Sequence, residues 1–91
     1  MNVREEMQIK LFPNPVQDSR FQIRLSSPSS KNEKGLFSLI APDGKLLWNY
    51  TDIVKPGESQ FSFDMNGLKS GIYVLKVGVG DRSFMEKVLV Q

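Results

Sequence analysis

The side chains best suited to chemistry in this sequence are carboxylates that sit in or near turns. Ten aspartates and glutamates are present, and Asp43, Asp64 and Asp81 fall in or beside turn-forming sequences. Two carboxylates held roughly 5–9 Å apart can hydrolyse glycosides. The sequence brings no two of these three together, and aspartates in turns usually serve the turn itself. We therefore predict no catalytic residue and no enzymatic activity.

The sequence lacks both histidine and cysteine. These two residue types supply the commonest nucleophile–base pairs and zinc ligands. We therefore expect no metal site and no cofactor. The absence of cysteine leaves the redox compartment open, because an oxidising environment does not require disulfides.

The charge pattern argues against a nucleic-acid partner. The net charge is +2, and the twelve lysines and arginines are spread from Arg4 to Lys87 without a block. Nucleic-acid binding typically gathers such residues on one face. No apolar run approaches the ~20 residues of a membrane-spanning helix, and residues 1–6 lack the apolar core of a signal peptide. We expect an exported parent protein to carry its signal peptide upstream.

Short stretches of alternating apolar and polar residues predict the elements that would position any site. In residues 20–26, Phe21, Ile23 and Leu25 alternate with polar residues, as in a half-buried strand. No segment shows a helical periodicity long enough to predict a helix. The predicted strands are residues 7–11, 20–26, 35–41, 45–54, 60–65, 72–77 and 83–90.

Turn sequences separate these strands. Residues 41–44 suit a type I turn, residues 55–58 a type II turn, and residues 80–81 a two-residue hairpin loop with glycine first. Residues 66–67 we interpret as part of a longer crossing between sheets. Strands spaced roughly 8–12 residues apart predict an all-β fold, a seven-stranded antiparallel immunoglobulin-like β-sandwich.

The inward positions of these strands define the expected core. Tyr73, near the start of the sixth strand, is either a corner tyrosine, whose hydroxyl bonds back to the main chain, or a plain buried aromatic residue. Trp48 and Tyr50 are expected to cover the edge of the core. The predicted core residues are Phe21, Ile23, Leu25, Phe37, Leu39, Leu47, Phe63, Leu68, Tyr73, Leu75, Val77 and Val88.

Four short motifs follow one another in a fixed order along the chain. They are Pro13-Asn14-Pro15-Val16, the turn containing Gly44, Leu68-Lys69-Ser70-Gly71-Ile72-Tyr73, and Lys87-Val88-Leu89-Val90. In order and spacing they resemble the C-terminal sorting domain of the type IX secretion system of the Bacteroidetes. The chain departs from that pattern by ending on Gln91, where the family commonly has a basic residue.

The resemblance implies a sorting function and no catalytic activity. Residues 7–91 would be the sorting domain, and residues 1–6 a tail or linker remnant. The implied partners are the outer-membrane type IX translocon, a sortase-type peptidase that commonly removes the domain, and the N-terminal cargo domain of the parent protein. The parent would pass through the periplasm to the outer membrane, the cell surface or the medium. The residues so marked for recognition are Pro13, Asn14, Pro15, Gly44, Leu68, Gly71, Tyr73, Lys87, Val88, Leu89 and Val90.

The sequence leaves two hypotheses about binding open. The final strand, residues 82–91, is expected to be a recognition element at a sheet edge, where unpaired backbone groups can accept a partner's strand. Alternatively, the chain is an immunoglobulin-like or fibronectin-like accessory adhesion or carbohydrate-binding module. Trp48 and Tyr50 would then stack on sugar rings, although exposed aromatic residues more often cover a core.

Overall fold

Seven β-strands make up the part of the chain that the structure describes. The computed structural model describes residues 7–17, 20–65 and 67–91, with side chains at all of these except residues 14–17. All seven predicted strands are confirmed, and the predicted tail, residues 1–6, lies outside the described residues. The strands are β1 (Gln8–Gln17), β2 (Arg20–Ser27), β3 (Glu33–Ile40), β4 (Leu46–Val54), β5 (Gly57–Asp64), β6 (Gly71–Val79) and β7 (Arg82–Val90).

The strands form two sheets that share β1. One sheet has the order β1-β2-β5 and the other β4-β3-β6-β7. The first half of β1 pairs antiparallel with β2, whereas its end lies parallel to β7 through the pair Val16 and Val90. The predicted all-β immunoglobulin-like sandwich is confirmed, with this parallel contact as the exception to its antiparallel pairing.

β1 changes sheets at its prolines. Its ladder with β2 is regular as far as Phe12 and irregular from there to Gln17. Pro13 and Pro15 have no N–H to donate, so neither can continue a ladder. The Phe12–Pro13 peptide bond is cis. The sequence pattern predicted a strand over residues 7–11 only, and this predicted end is wrong, because β1 continues past the prolines to Gln17 and pairs with the second sheet.

The core lies between the two sheets and follows the alternation of the strands. Most predicted core residues are buried, and Leu68 is half-buried against them. The hydrophobic core also extends to residues near the strand ends that the prediction omitted. The buried hydrophobic residues are Met7, Phe21, Ile23, Leu25, Phe37, Leu39, Val54, Phe63, Met65, Tyr73, Leu75, Val77, Val79, Val88 and Val90.

The prediction that Leu47 faces the core is wrong. In the β3–β4 ladder Leu39 lies opposite Trp48, but Ile40 lies opposite Leu46. Leu47 is the extra residue of a β-bulge, and such a residue has no partner in the ladder. The bulge turns Trp48 toward the core and leaves Leu47 with 40% of its surface exposed.

The connections follow the turn predictions. β6 and β7 are joined by the two-residue loop 80–81. Residues 65–70 cross from β5 in one sheet to β6 in the other, as expected for the sequence around residues 66–67. Asn66 itself lies outside the described residues.

Candidate functional site

Motifs that are far apart in the sequence meet at one end of the sandwich. We call this the motif end and define it by Val16, Pro42, Gly71 and Val90. Val90 pairs with Gly71 across β6 and β7, and with Val16 of β1. Pro42 Cγ lies only 2.9 Å from the position that a Cβ on Gly71 would take. The fold therefore gathers parts of all four motifs into one region.

The turn at the motif end is closed by its own backbone. The Gly44 N–H donates to the Ala41 carbonyl at 2.9 Å, and the Ala41 N–H donates to the Lys45 carbonyl at 2.8 Å. The Lys45 N–H also donates to Asp43 Oδ1 at 3.1 Å. Gly44 has φ +92°, a conformation that glycine adopts without steric cost. Gly44 and Asp43 therefore stabilise the turn, and the turn places Pro42 against Gly71 at the start of β6.

Tyr73 is a corner tyrosine. Its hydroxyl donates to the Lys69 carbonyl at 2.7 Å, and only 4% of its surface is exposed. The bond ties the crossing from β5 to the start of β6. On the same crossing the Leu68 N–H donates to the Met65 carbonyl at 3.2 Å. Of the two interpretations that the sequence left open, the corner tyrosine is confirmed.

Replacing Tyr73 with phenylalanine should weaken the fold modestly. Tyr73→Phe keeps the buried ring but removes one hydrogen bond, so we expect the free energy of unfolding to fall by about 0.5–1.5 kcal/mol in urea denaturation. Tyr50→Phe is the matched control, because the Tyr50 hydroxyl donates to Asp52 on an exposed part of β4. Equal losses for the two variants would contradict a special role for the corner bond.

Replacing Gly71 with alanine should also destabilise the domain. The new methyl would press on Pro42, and overpacking of this kind typically costs about 1–3 kcal/mol. Gly78→Ala is the control on the same strand, because a Cβ there would meet nothing closer than 3.9 Å. We expect thermal and urea unfolding to show a loss for Gly71→Ala only. An unchanged midpoint for Gly71→Ala would mean that the turn moves away without cost.

Apolar side chains lie on the outer face of the larger sheet beside the motif end. We call them the apolar corner: Ile40, Leu46, Ile72, Val74 and Leu89. Ile72 and Leu89 are cross-strand neighbours with 53% and 37% of their surfaces exposed, and Leu46 is 55% exposed. Ile40 joins the two parts, because it pairs with Leu46 on one side and with Val74 on the other.

The marked residues of the last two motifs thus divide by face. Tyr73, Val88 and Val90 point into the core. Lys87 and Leu89 alternate with them on β7 and are exposed. In the final motif, Lys87 and Leu89 therefore present their side chains at the surface, whereas their buried neighbours stabilise the fold.

The remaining marked residues lie elsewhere or serve the fold. Pro13 is partly exposed where β1 changes sheets. Asn14 and Pro15 belong to β1, and their side chains lie outside the described residues. Leu68 is half-buried against the core.

The aromatic residues of β4 close the open side of the sandwich. β4 and β5 are the outermost strands of the seven-stranded order. Trp48 stacks on Phe63 with ring centroids 5.1 Å apart and planes 19° apart, and Tyr50 meets Phe63 edge-on at 5.7 Å. Trp48 and Tyr50 therefore cover the core edge as predicted. One face of the indole is already occupied, which does not favour a sugar-stacking platform.

An exposed hydrogen-bonded pair lies beside these rings. The Tyr50 hydroxyl donates to Asp52 Oδ2 at 2.7 Å, and the Ile53 N–H donates to Asp52 Oδ1 at 2.7 Å. The hydroxyl bond, reinforced by the backbone N–H, lowers the pKa of Asp52, and the same bond raises the pKa of Tyr50. The small stabilisation from Asp52 is present above its ordinary pKa and is lost as the pH falls through the lowered value.

The described residues hold no group of three or more metal-ligating side chains. Nor does any helix long and apolar enough to cross a membrane occur within residues 7–17, 20–65 and 67–91.

Fold and sequence together identify the chain's class and family. The two sheets and the corner tyrosine place it among immunoglobulin-like β-sandwiches. The family model described as "Secretion system C-terminal sorting domain" matches residues 10–91, nearly the whole chain, and the chain belongs to that family. No curated protein matches the sequence.

Family membership gives the function in outline. The domain is a C-terminal sorting signal for type IX secretion, as the motif order predicted. The family consists of sorting signals, which are not catalytic, and its function implies interaction with the type IX system and with a parent protein. The domain marks its parent for export toward the outer membrane or the cell surface.

Proposed function

We propose that the type IX machinery recognises this domain at the motif end, through the apolar corner and the exposed residues at the end of β7. The proposed partners are the outer-membrane translocon and a sortase-type peptidase. The translocon takes up the parent from the periplasm with its N-terminal cargo domain attached. The peptidase then removes the sorting domain, and the parent is released or held at the cell surface.

The meeting of the motifs at one exposed end is the observation that supports this proposal. Side chains alternate between the two faces of a strand. Because Tyr73 and Val88 point into the core, their neighbours Ile72 and Leu89 on the same strands must point outward. Such a surface exists only when β6 and β7 are paired. A partner that binds this surface therefore distinguishes a folded domain from an unfolded one.

The position of the chain's entry is consistent with recognition at this end. β1 runs parallel to β7, with Val16 beside Val90, so Gln8 lies toward the opposite end of the sandwich. A strand of this length spans about 25–30 Å. A cargo domain attached ahead of β1 would therefore leave the apolar corner uncovered.

Polar substitutions in the apolar corner test the proposal. We expect the double variant Ile72→Ser, Leu89→Ser to reduce export of a fused reporter to background, with little change in melting temperature, because both side chains are exposed. Ile53→Ser is the matched control. Ile53 is 49% exposed and pairs with Lys34 in the same sheet, but it lies at the end away from the motifs.

Wild-type export by the folded double variant would overturn recognition at the motif end, while the family's sorting function would stand. If the double variant melts early, the single variants Ile72→Ser and Leu89→Ser decide the question. Loss of export in a single variant with wild-type melting supports the proposal, and export that falls only in step with melting contradicts it.

A further inference from the structure

β4 and β5 form the open edges of the sandwich, and the final strand does not. In the strand order of the described residues, β4 and β5 stand at the two ends, while β7 lies between β6 and β1. The prediction that the final strand lies at a sheet edge is therefore wrong, because β1 returns beside it after the prolines. Within the described part of the chain, β4 pairs only with β3 and β5 only with β2, so their outer sides can accept a partner's strand.

The edge of β4 lacks most of the usual protection against strand pairing. Proteins commonly guard an open edge with lysine, proline or a bulge. β4 has one bulge, at Leu47, but from Trp48 to Val54 its ladder with β3 is regular. This regular stretch contains neither proline nor lysine, and Asp52 is its only charged residue. The backbone of β4 is therefore suited to an added strand.

The two edge strands also differ from the other strands in charge. Each of the other strands contains at least one lysine or arginine, whereas β4 and β5 contain none. Their charged residues are Asp52, Glu58 and Asp64. Asp64 already interacts within the chain, which leaves Asp52 and Glu58 as the acidic side chains that a partner would meet. Charge complementarity across an interface therefore favours a basic partner.

A cavity of about 340 Å³ opens between the two edges. Trp48 and Tyr50 line it from β4, and Phe63 lines it from β5. Trp48 is half-buried and Tyr50 is 43% exposed, so both rings keep accessible surface although both contact Phe63. The face of an aromatic ring attracts a guanidinium or ammonium group. The cavity therefore suits the cationic end of a long side chain.

The side chains of Trp48, Tyr50 and Asp52 share one face of β4, because side chains alternate along a strand. Asp52 Oδ2 accepts the Tyr50 hydroxyl and Asp52 Oδ1 accepts the Ile53 N–H, both at 2.7 Å. A carboxylate has roughly four lone-pair sites, so Asp52 can accept further hydrogen bonds. The three residues are spaced two apart, which matches the spacing of side chains on one face of an added strand.

We propose that the open side between β4 and β5 binds an extended, basic segment of a partner protein. The segment pairs its backbone with β4 and continues the larger sheet. Arginine or lysine side chains on its inward face lie over Trp48 and Tyr50 and pair with Asp52. This surface is separate from the apolar corner, which lies on the outer face of the larger sheet, so the inference does not rest on the proposed function.

Fluorescence of the full 91-residue chain tests the proposal, because Trp48 is its single tryptophan. The probe is a capped peptide in which arginine alternates with threonine, so that one face of the extended peptide is basic. We expect a saturable change in Trp48 emission as this peptide is added. The same peptide with glutamate in place of arginine should leave the emission unchanged. With proline in place of threonine the peptide keeps its charge but cannot form the ladder, and its Kd should be at least about tenfold higher.

Asp52→Asn tests the acidic contact. The variant keeps an acceptor for the Tyr50 hydroxyl but loses the charge, so we expect the Kd of the arginine peptide to rise about tenfold. Asp43→Asn is the matched control. Asp43 is exposed and also accepts a backbone N–H, but it lies in the turn at the motif end, so its replacement should leave the Kd unchanged.

Amide hydrogen exchange locates the bound peptide, since alternate amides of residues 48–54 should gain protection. No binding at millimolar peptide, equal binding of the glutamate or proline peptide, or an unchanged Kd for Asp52→Asn would overturn the proposal. Protection that appears outside β4 would contradict the pairing. Sedimentation of the chain alone covers the remaining occupant: a dimer with protected β4 amides would assign this edge to a second copy of the chain and overturn the basic segment.

Discussion

A reporter protein fused ahead of residues 7–91 should appear outside a type IX-competent bacterium when an N-terminal signal peptide first delivers it to the periplasm. The same reporter without these residues should stay in the periplasm. The expected effect is close to all-or-none, because the family's function is to mark its parent for this route. The measurement is reporter activity in the medium and on the cell surface relative to the periplasm.

Two controls make this result specific. A strain lacking the outer-membrane translocon should retain the fusion, which shows that lysis or leakage does not account for the signal. Lys34→Glu in the fusion should leave export unchanged, because Lys34 is exposed and, opposite Ile53 in the β3–β4 ladder, lies at the end of the sandwich away from the motifs. A reporter that stays in the periplasm with the domain intact and folded would remove the main support for a sorting role of this chain.

The second large effect is expected in the core. Leu75 is fully buried at the centre of β6, between Leu39 on β3 and Glu86 on β7. Leu75→Ala removes three carbon atoms and leaves a cavity, so the free energy of unfolding should fall by about 2–5 kcal/mol. That is a large share of the roughly 5–15 kcal/mol that stabilises a typical domain. Urea denaturation followed by tryptophan fluorescence gives the value, since Trp48 lies against the core.

Leu36→Ala is the matched control for that substitution. Leu36 lies on the neighbouring strand β3 but points to the outer face and is 45% exposed. The same change of side chain there should alter stability by less than about 0.5 kcal/mol. A loss below about 1 kcal/mol for Leu75→Ala would mean that the site collapses around the smaller side chain far better than most buried sites.

Most of the fold could be predicted from the sequence because one face of each strand is buried. The clean alternation of Phe21, Ile23 and Leu25 sets which face of β2 turns inward, and the same logic holds for β3 and β6. It failed at Leu47, where a β-bulge adds one residue. The alternation of side chains before and after a bulge looks regular, and the shift shows only when the partner strand is known.

Long-range pairing was the other part that the sequence did not reveal. Pro13 and Pro15 predict an interruption of β1, but no local pattern says that the strand resumes beside Val90. For the same reason, Val90 and Val79 were not expected in the core. Their burial depends on how the ends of the two sheets meet.

The candidate site shows the same limit. The order of the motifs was enough to indicate the family, but their meeting at one end depends on the pairing of β7 with both β6 and β1. The alternation of exposed and buried residues on β7 also decides which variant tests the last strand. Removal of residues 89–91 would take away exposed Leu89 and buried Val90 together, so substitution of Leu89 alone is the cleaner experiment.

The passage of β1 from one sheet to the other has a mechanical consequence. If a partner binds the motif end as proposed, a parent protein attached ahead of β1 would pull on the start of that strand while the partner holds the opposite end of the sandwich. The pull is directed along β1, so the ladder between residues 8–12 and 22–26 is loaded in shear, and its hydrogen bonds resist together instead of opening one at a time. The strand that joins the two sheets would thus also be the strand through which a force on the cargo reaches the motif end.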